Sequence, residues 1–405
     1  MFFQYRPLSL PGGDMSWGHA VSKDLIHWKQ LPEAITGDAM GAIWSGSAVI
    51  DFTNTSGLGS HNDPPMVCFY TAAGGYNAAS TGQPFTQCMA YSLDGYSFPK
   101  YDHNPVIPHI INGDRDPKVV WYEPTHSWIL ALYLDGNDYG LFGSKNLLNW
   151  HHLSDVKVPN AGECPDFFPM NLNGKKSEQK WIFWTAPGLY EVGQFDGTKF
   201  TPETSPIPSY FVNTAYAAQT FSDAPHGRRI QISWYRGAEF PGAKWDQQMS
   251  IPCELHLVTT DNGPRLTFNP VSEVTHLHGE KLAPETTHNE ITFSNQTGLY
   301  DFEGTFSVPS GSDFSIKVHG ETLTYSSNDE TLAIAGSSVK VPLLKGKMQL
   351  RILVDRASIE IFAQHGLVYL PIYHLIPAGP DSIVIDTQTG CRADQVGVYA
   401  MHSAW

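Results

Sequence analysis

Short apolar runs broken by turn residues recur along this chain and predict many short strands. Four segments repeat one pattern: an apolar strand, a polar turn of Ser-x-Asp/Asn or Asp-Gly type, then an aromatic. They run Gly18 to Trp28, Met89 to Phe98, Leu141 to Trp150 and Val192 to Phe200, and a weaker fifth copy runs Thr260 to Phe268. The closing aromatics recur every 50 to 70 residues. The longer intervals have room for loop insertions at Asn54–Pro65, Gly74–Pro84 and Gly237–Asp246. A unit of about four strands closed by a turn and an anchoring aromatic is the pattern of a propeller blade. Beyond Val274 the pattern changes to alternating strands such as Phe314–Val318, Leu350–Asp355, Ser358–Phe362 and Val368–Ile372, at turn spacings typical of a sandwich. The reading is therefore all-β: a β-propeller of four or five blades over residues 1–276, a linker over 277–287 and a C-terminal β-sandwich over 288–405.

Composition sharpens this picture. The 36 Gly and 29 Pro punctuate the chain too densely for long helices. With 41% hydrophobic and 12% aromatic residues, it can bury enough surface to fold. A formal charge of −15 argues against nucleic acid or an anionic membrane as partner, since both need a basic footprint. No apolar stretch reaches the roughly 18 residues needed to cross a bilayer. The five cysteines are odd in number and scattered, with no C-x-x-C pair, so they read as small buried hydrophobes rather than as a disulfide scaffold or zinc site.

Propellers converge their inner strands on a central funnel, so acids at the ends of those strands can face one small-molecule site. Gly113-Asp-Arg-Asp-Pro117 precedes an apolar strand and offers Asp116 between an Arg and a Pro; a turn-capping role fits the same residues. Gly162-Glu-Cys-Pro-Asp-Phe-Phe-Pro169 surrounds Glu163 with apolar neighbours, which predicts a partly desolvated carboxyl suited to proton donation. A metal role for this cluster is weak, because soft and hard ligands mix without a His. Trp17-Gly-His19 and Trp44-Ser-Gly-Ser47 add aromatic faces and hydroxyls that suit sugar, although any single Trp also fits core packing. With no G-x-S-x-G, P-loop or H-E-x-x-H string, carboxylates and Trp in a funnel point to glycoside cleavage.

In order, Phe2-Phe-Gln-Tyr-Arg-Pro7, Ser16 to Leu25 with His27-Trp28, Trp44-Ser-Gly-Ser47, Arg115-Asp-Pro-Lys-Val119, Glu163-Cys-Pro-Asp166 and Met249-Ser-Ile-Pro252 resemble glycoside hydrolase family 32. This is the family of invertases, inulinases and levanases. Leu350 to Arg356 and Ile359-Glu-Ile-Phe362 extend the resemblance into the C-terminal part. It implies a five-bladed propeller with a sandwich and a retaining cleavage of β-fructofuranosides, levan, inulin or sucrose. It casts Glu163 as acid/base, Asp116 as transition-state stabiliser with help from Arg115, and Gln4, Trp17, Trp44 and Ser45 as lining of the terminal fructosyl pocket. A further wall Trp falls in the segment holding Trp234 and Trp245, with Trp234 favoured. No metal or organic cofactor is called for.

The resemblance also exposes a departure. The family's nucleophilic Asp belongs to a W-M-N-D-P-N-G type segment just upstream of the F-F-Q-Y strand. This chain starts at F-F-Q-Y, and the full string occurs nowhere in it. The expectation is that the segment is missing, through a misread start codon or a truncated gene, and with it the inner strand of the first blade. Asp14 reads as a turn residue rather than a substitute. Any secretion signal would lie upstream of Met1, which leaves secreted and cytoplasmic locations both open, and the oligomeric state is open too. Asp114, Cys253 and Asp246-Gln-Gln depart from more usual Phe, Arg and Arg-bearing positions and bear on fine specificity. Two competing readings are a non-catalytic fructan-binding propeller and an arabinan-cleaving one.

Overall fold

The repeated turn is one piece of local chemistry used several times. Asp94 accepts the backbone N–H groups of Tyr96 (2.8 Å) and Ser97 (2.7 Å). Asn146 does the same for Leu148 and Asn149 (3.2 and 3.0 Å), and Asp196 for Thr198 and Lys199 (2.8 and 2.7 Å). Asp24 accepts from Ile26 (3.1 Å). A short acceptor side chain that captures the amides two and three residues on closes a tight turn without help from elsewhere. The aromatics that end three of these motifs are then buried: Phe98, Phe200 and, in the weaker copy, Phe268. Trp150 packs edge-on against Phe69.

In the computed structural model all residues are described except 7–13, 112, 211, 213–214, 242–245, 376–378, 388–389 and 405. Five small antiparallel sheets follow one another along the chain. The first holds Phe2–Tyr5, Ser16–Ser22 and Trp28–Ile35; the second Ala42–Ile50, Met66–Ala73 and Phe85–Ser92. The third holds Arg115–Tyr122, Ser127–Asp135, Asp138–Ser144 and His151–Lys157. The fourth has Asp166–Asn171, Gln179–Trp184, Leu189–Phe195 and Phe200–Pro202, with Ile207–Pro208 added to the third of these strands. The fifth has Ala215–Thr220, Ile230–Tyr235, Cys253–Thr260 and Gly263–Pro270, with Gln248–Met249 on the second. Phe2–Tyr5 is the terminal strand of its sheet.

Apolar layers join successive sheets. Trp17, Ile35, Ile43, Tyr70 and Phe98 form one cluster; Val49, Phe69, Met89, Val119 and Leu130 a second; Tyr139, Phe167, Trp181 and Phe183 a third. Leading strands of these sheets are also linked by buried polar groups. Ser47 donates to the Pro117 carbonyl (2.9 Å) and accepts from the Val119 amide (3.0 Å). Lys118 Nζ reaches Asp166 (3.1 Å) and the Thr220 carbonyl (2.8 Å), and Asp166 accepts from the Thr220 amide (2.6 Å). Burial pulls the Lys118 pKa below the usual lysine range, with Asp166 opposing. Removing one member of such a pair leaves a buried charge alone, so the cluster fixes the relative positions of these strands.

Two larger sheets follow. Six strands, in the order His278–Lys281, Arg392–Met401, Tyr300–Ser307, Lys347–Asp355, Ser358–Ala363 and Val368–Tyr373, form one. Seven form the other: Glu285–Thr287, Glu290–Asn295, Asp381–Asp386, Asp313–Val318, Glu321–Ser326, Thr331–Ile334 and Ser337–Lys340. Phe302, Phe306, Leu350 and Ile361 from the first share one core with Phe314, Ile316, Leu323 and Ile385 from the second, which is a sandwich. Residues 277–287 carry two short strands, one in each sheet. His278–Lys281 finds a long-range partner on Arg392–Met401, and Glu285–Thr287 turns back onto the adjacent Glu290–Asn295 as a hairpin, pairings that polar composition does not signal.

The chain divides into two compact units: Met1–Lys23, His27–Pro208 and Ala217–Gln231 in one; Asp24–Ile26, Ser209–Tyr216 and Ile232 onward in the other. All five cysteines are buried free thiols, as their scatter predicts. Among the described residues no helix is long and apolar enough to cross a membrane.

Candidate active site

Seven of the eight residues singled out from the sequence lie in the first unit, in two clusters. The first cluster is built on a bulge. The ladder between Ala42–Ile50 and Met66–Ala73 slips between Ile43 and Gly46, which frees Trp44 and Ser45 from regular pairing. Gly46 permits the close approach, since a Cβ there would stand 1.9 Å from the Phe69 carbonyl oxygen. Trp17 donates its indole N–H to the Trp44 carbonyl (3.0 Å). With the Gln4 amide oriented to satisfy its neighbours, its oxygen accepts from Trp17 Nε1 (3.1 Å) and the Ser45 amide (3.2 Å), and its nitrogen donates to the Ile43 carbonyl (3.2 Å). Gln4, Trp17, Trp44 and Ser45 thus form one bonded group. Trp17, at 3% exposure, braces it from behind, while Trp44 and Ser45 are half-buried and Gln4 is exposed.

The second cluster is charged. Arg115 Nε donates to Glu163 Oε2 (2.9 Å), a second guanidinium nitrogen lies 2.8 Å from the same oxygen, and Nε stands 3.8 Å from Asp116 Oδ2. The guanidinium is held from behind by the Gly113 carbonyl (2.6 Å) and covers the Tyr133 ring at 4.5 Å. Asp116 is 5% exposed and accepts from the Cys164 amide (3.0 Å) and thiol (3.3 Å). Its own amide donates to Thr71 Oγ1 (2.9 Å), and Thr71 donates to Gln87 (2.8 Å). Gln87 in turn donates to Asp114, which His109 also faces at 3.1 Å.

Two of these residues carry unusual backbone. Asp116 has φ 64° and Cys164 φ 52°, both in the left-handed region, and the ladder beside Asp116 slips between Arg115 and Lys118. A residue before Pro favours extended backbone, so Asp116 is held against its local preference. The supports are nonlocal: Thr71 on one side, Cys164 on the other. The Cys164 turn is itself pinned, because Gln219 donates to the Cys164 and Pro165 carbonyls (3.3 and 3.1 Å), Ala186 N–H bonds the Glu163 carbonyl (2.9 Å) and Tyr139 donates to the Gly162 carbonyl.

Burial, and then the Glu163 charge, push the Asp116 pKa up to about 6, against the opposing pull of Arg115 and the Cys164 donors. The same surroundings push the Cys164 thiol far up, burial first and the carboxylates next, so it serves as a donor to Asp116 rather than as a nucleophile. Arg115 is raised: burial works against its charge, but Glu163 and Asp116 outweigh that. The Glu163 side chain itself is 31% exposed, more open than its apolar neighbours in sequence predict, because it leans out to Arg115.

Trp234 belongs to the second unit, where its ring meets Tyr216 at 6.1 Å and its indole donates to Gln247 (2.6 Å). Trp245 lies outside the described residues. Asp14 is exposed. An Asn62-Asp63-Pro64 triplet does occur, but on the turn at the Ile50–Met66 end of the second sheet, opposite the end that carries Trp44. Thr71, Gln87 and Gln219 were beyond motif reading, their only sequence signal being a polar residue within an otherwise apolar strand; Lys118 stood within the Arg115-Asp-Pro-Lys-Val119 string without a role. Among the described residues no group of His, Cys, Asp and Glu is arranged to hold a metal.

This chain is 34% identical to a levanase of Bacillus subtilis over 90% of its length, and spans 61% of that relative. It is 31% identical to an extracellular exo-inulinase of Aspergillus ficuum, covering all of this chain and 90% of that one. Among solved structures, exo-inulinase from Aspergillus awamori superposes with a TM-score of 0.89 at 25% identity, covering 100% of this chain and 93% of the other. A fructofuranosidase from Schwanniomyces occidentalis complexed with fructose gives 0.84 at 26% identity, over 98% and 92%. Residues 1–270 match the N-terminal domain of glycosyl hydrolases family 32 and residues 272–370 its C-terminal domain. With both domains matched in order over most of its length, the chain belongs to glycosyl hydrolases family 32.

Proposed function

We propose that this chain is the catalytic part of a retaining β-fructosidase that releases terminal fructose from levan, inulin or sucrose. The observation that carries the reading is the Arg115 guanidinium, bonded to Glu163 and 3.8 Å from a buried Asp116. In this reading Glu163, the more exposed acid, protonates the leaving oxygen and later activates water. Asp116, fixed by Cys164 and Thr71, accepts hydrogen bonds from the fructosyl hydroxyls, and Gln4, Trp44 and Ser45 line the ring with Trp17 bracing them from behind. The substrate is neutral, so the −15 charge neither steers nor repels it. The five small sheets are read as the five blades of residues 1–276. Residues 288–405 are read as the sandwich, with 277–287 leading into it.

Double displacement needs an attacking carboxylate. The W-M-N-D-P-N-G string that bears it in the family is absent from the 405 residues. The 405-residue chain alone is therefore expected to bind fructosyl groups with little or no turnover. Protein expressed from the intact gene locus is expected to release fructose from at least one of levan, inulin and sucrose, measured as free ketose. No release from any of the three would overturn the reading, and release of arabinose from arabinan instead would change the sugar. A second reading is a non-catalytic fructan binder. For that protein, the intact-locus product would bind fructan oligomers in calorimetry and release nothing.

A further inference from the structure

The Gly74–Pro84 insertion takes no part in the site described so far, yet it places an aromatic ring against one of that site's walls. Tyr76 is 58% exposed. Its ring lies 4.5 Å from Trp44, Phe85 lies 5.1 Å from Trp44, and Tyr76 and Phe85 are 5.6 Å apart, all edge to face. The loop that presents Tyr76 is pinned. Gly75 N–H bonds the Ser80 carbonyl (2.9 Å), Asn77 caps the short turn through the Ser80 amide (2.8 Å), and Asn77 Nδ2 donates to the Asp38 carbonyl (3.0 Å). At the base, a Cβ on Gly74 would stand 2.2 Å from the Gln83 carbonyl oxygen, so the loop is closed there as tightly as Gly allows. An aromatic held in water by a rigid loop is already ordered for contact, and little conformational freedom is left to lose on binding.

The position of Phe85 says what the contact is with. A Cβ placed on Gly113 would meet the Phe85 ring at 3.7 Å and Arg115 Nη1 at 3.2 Å. Phe85 therefore abuts the Gly113–Arg115 segment, and Arg115 holds Glu163. The aromatic cluster thus adjoins the segment whose Arg115 holds the proton donor, and the group beside a glycosidase's proton donor is the leaving group. We propose that Tyr76 and Phe85, extending from Trp44, form a ledge for the sugar ring on the leaving side of the scissile bond, whose C–H face packs on the rings. This ledge favours substrates that continue beyond the terminal fructose. The inference rests on the assignment of Glu163 as proton donor.

Calorimetric titration of the 405-residue chain with free fructose, which fills the terminal pocket alone, and with a β-2,1-linked fructo-tetrasaccharide separates the two ideas without requiring turnover. Tyr76→Ala is expected to weaken the tetrasaccharide on the order of tenfold and leave fructose unchanged, with Tyr76→Phe close to wild type. Equal weakening of both ligands, no weakening of the tetrasaccharide, or a wild-type chain that binds the tetrasaccharide no more tightly than fructose would each overturn the ledge. Wild-type protein that binds neither sugar would overturn the fructosidase reading itself, and the ledge with it.

Discussion

Glu163→Gln, in protein expressed from the intact locus, is expected to slow fructose release from sucrose or fructan by about 10²–10⁴-fold, the usual contribution of a positioned general acid. A sugar alkoxide is a poor leaving group and needs its proton, whereas a nitrophenolate leaves without one. The loss should therefore shrink markedly on a nitrophenyl β-fructofuranoside, at least for the first step, and that contrast separates lost proton donation from general damage. The fold should tolerate the change, because Gln keeps an oxygen for the Arg115 N–H groups, now 2.9 Å from Glu163. A second consequence lies on Asp116. The Glu163 charge is one of the causes that raise its pKa, so the Gln variant should titrate Asp116 lower than about 6. An equal loss on both substrates would count against Glu163 as the acid.

Asp116→Asn is expected to cost activity and yet stabilise the protein above neutral pH. The Asp116 pKa stands at about 6 in the fold against an ordinary 3.8, raised by burial and by Glu163. A carboxyl with a raised folded pKa contributes stability that is full below its unfolded pKa and is lost as pH rises through the folded value. Here that window runs from about pH 4 to about pH 6. At pH 8 the ionised group costs on the order of 2–3 kcal/mol, from about 1.4 kcal/mol per unit. Asn is neutral and similar in size, and it can still accept from the Cys164 amide. The variant should therefore unfold at a higher temperature than wild type at pH 8, with the difference closing by pH 4. A variant less stable at pH 8 would contradict the placement of a destabilising buried charge at this position, a common trade at functional sites.

Local chemistry was legible in the residues. Asp94, Asn146 and Asp196 each close a turn through amides two and three positions away, so the repeat could be read from short strings. The acids were legible for a similar reason: Arg115-Asp-Pro opens the strand Arg115–Tyr122 and Glu163-Cys-Pro immediately precedes the strand Asp166–Asn171, so short strings mark both. What the strings did not reveal depends on contacts 45 or more residues away. The left-handed backbone at Asp116 depends on Thr71 and Cys164, and the Lys118–Asp166–Thr220 cluster joins three strands. The strand His278–Lys281 exists because the distant Arg392–Met401 leaves an edge for it to pair with. Tyr76 falls between the two cases: its loop was visible as an insertion, but its place against Trp44 is tertiary.

The central claim is that the Arg115–Asp116–Glu163 cluster and the Gln4–Trp17–Trp44–Ser45 group share one fructosyl pocket. A crystal structure of the 405-residue chain soaked with fructose tests it most directly. The account predicts one fructose with ring hydroxyls within hydrogen-bond distance of Asp116, its ring against Trp44 and its anomeric oxygen toward Glu163. Fructose bound elsewhere with these side chains untouched, or a site that stays empty at saturating fructose, would contradict it.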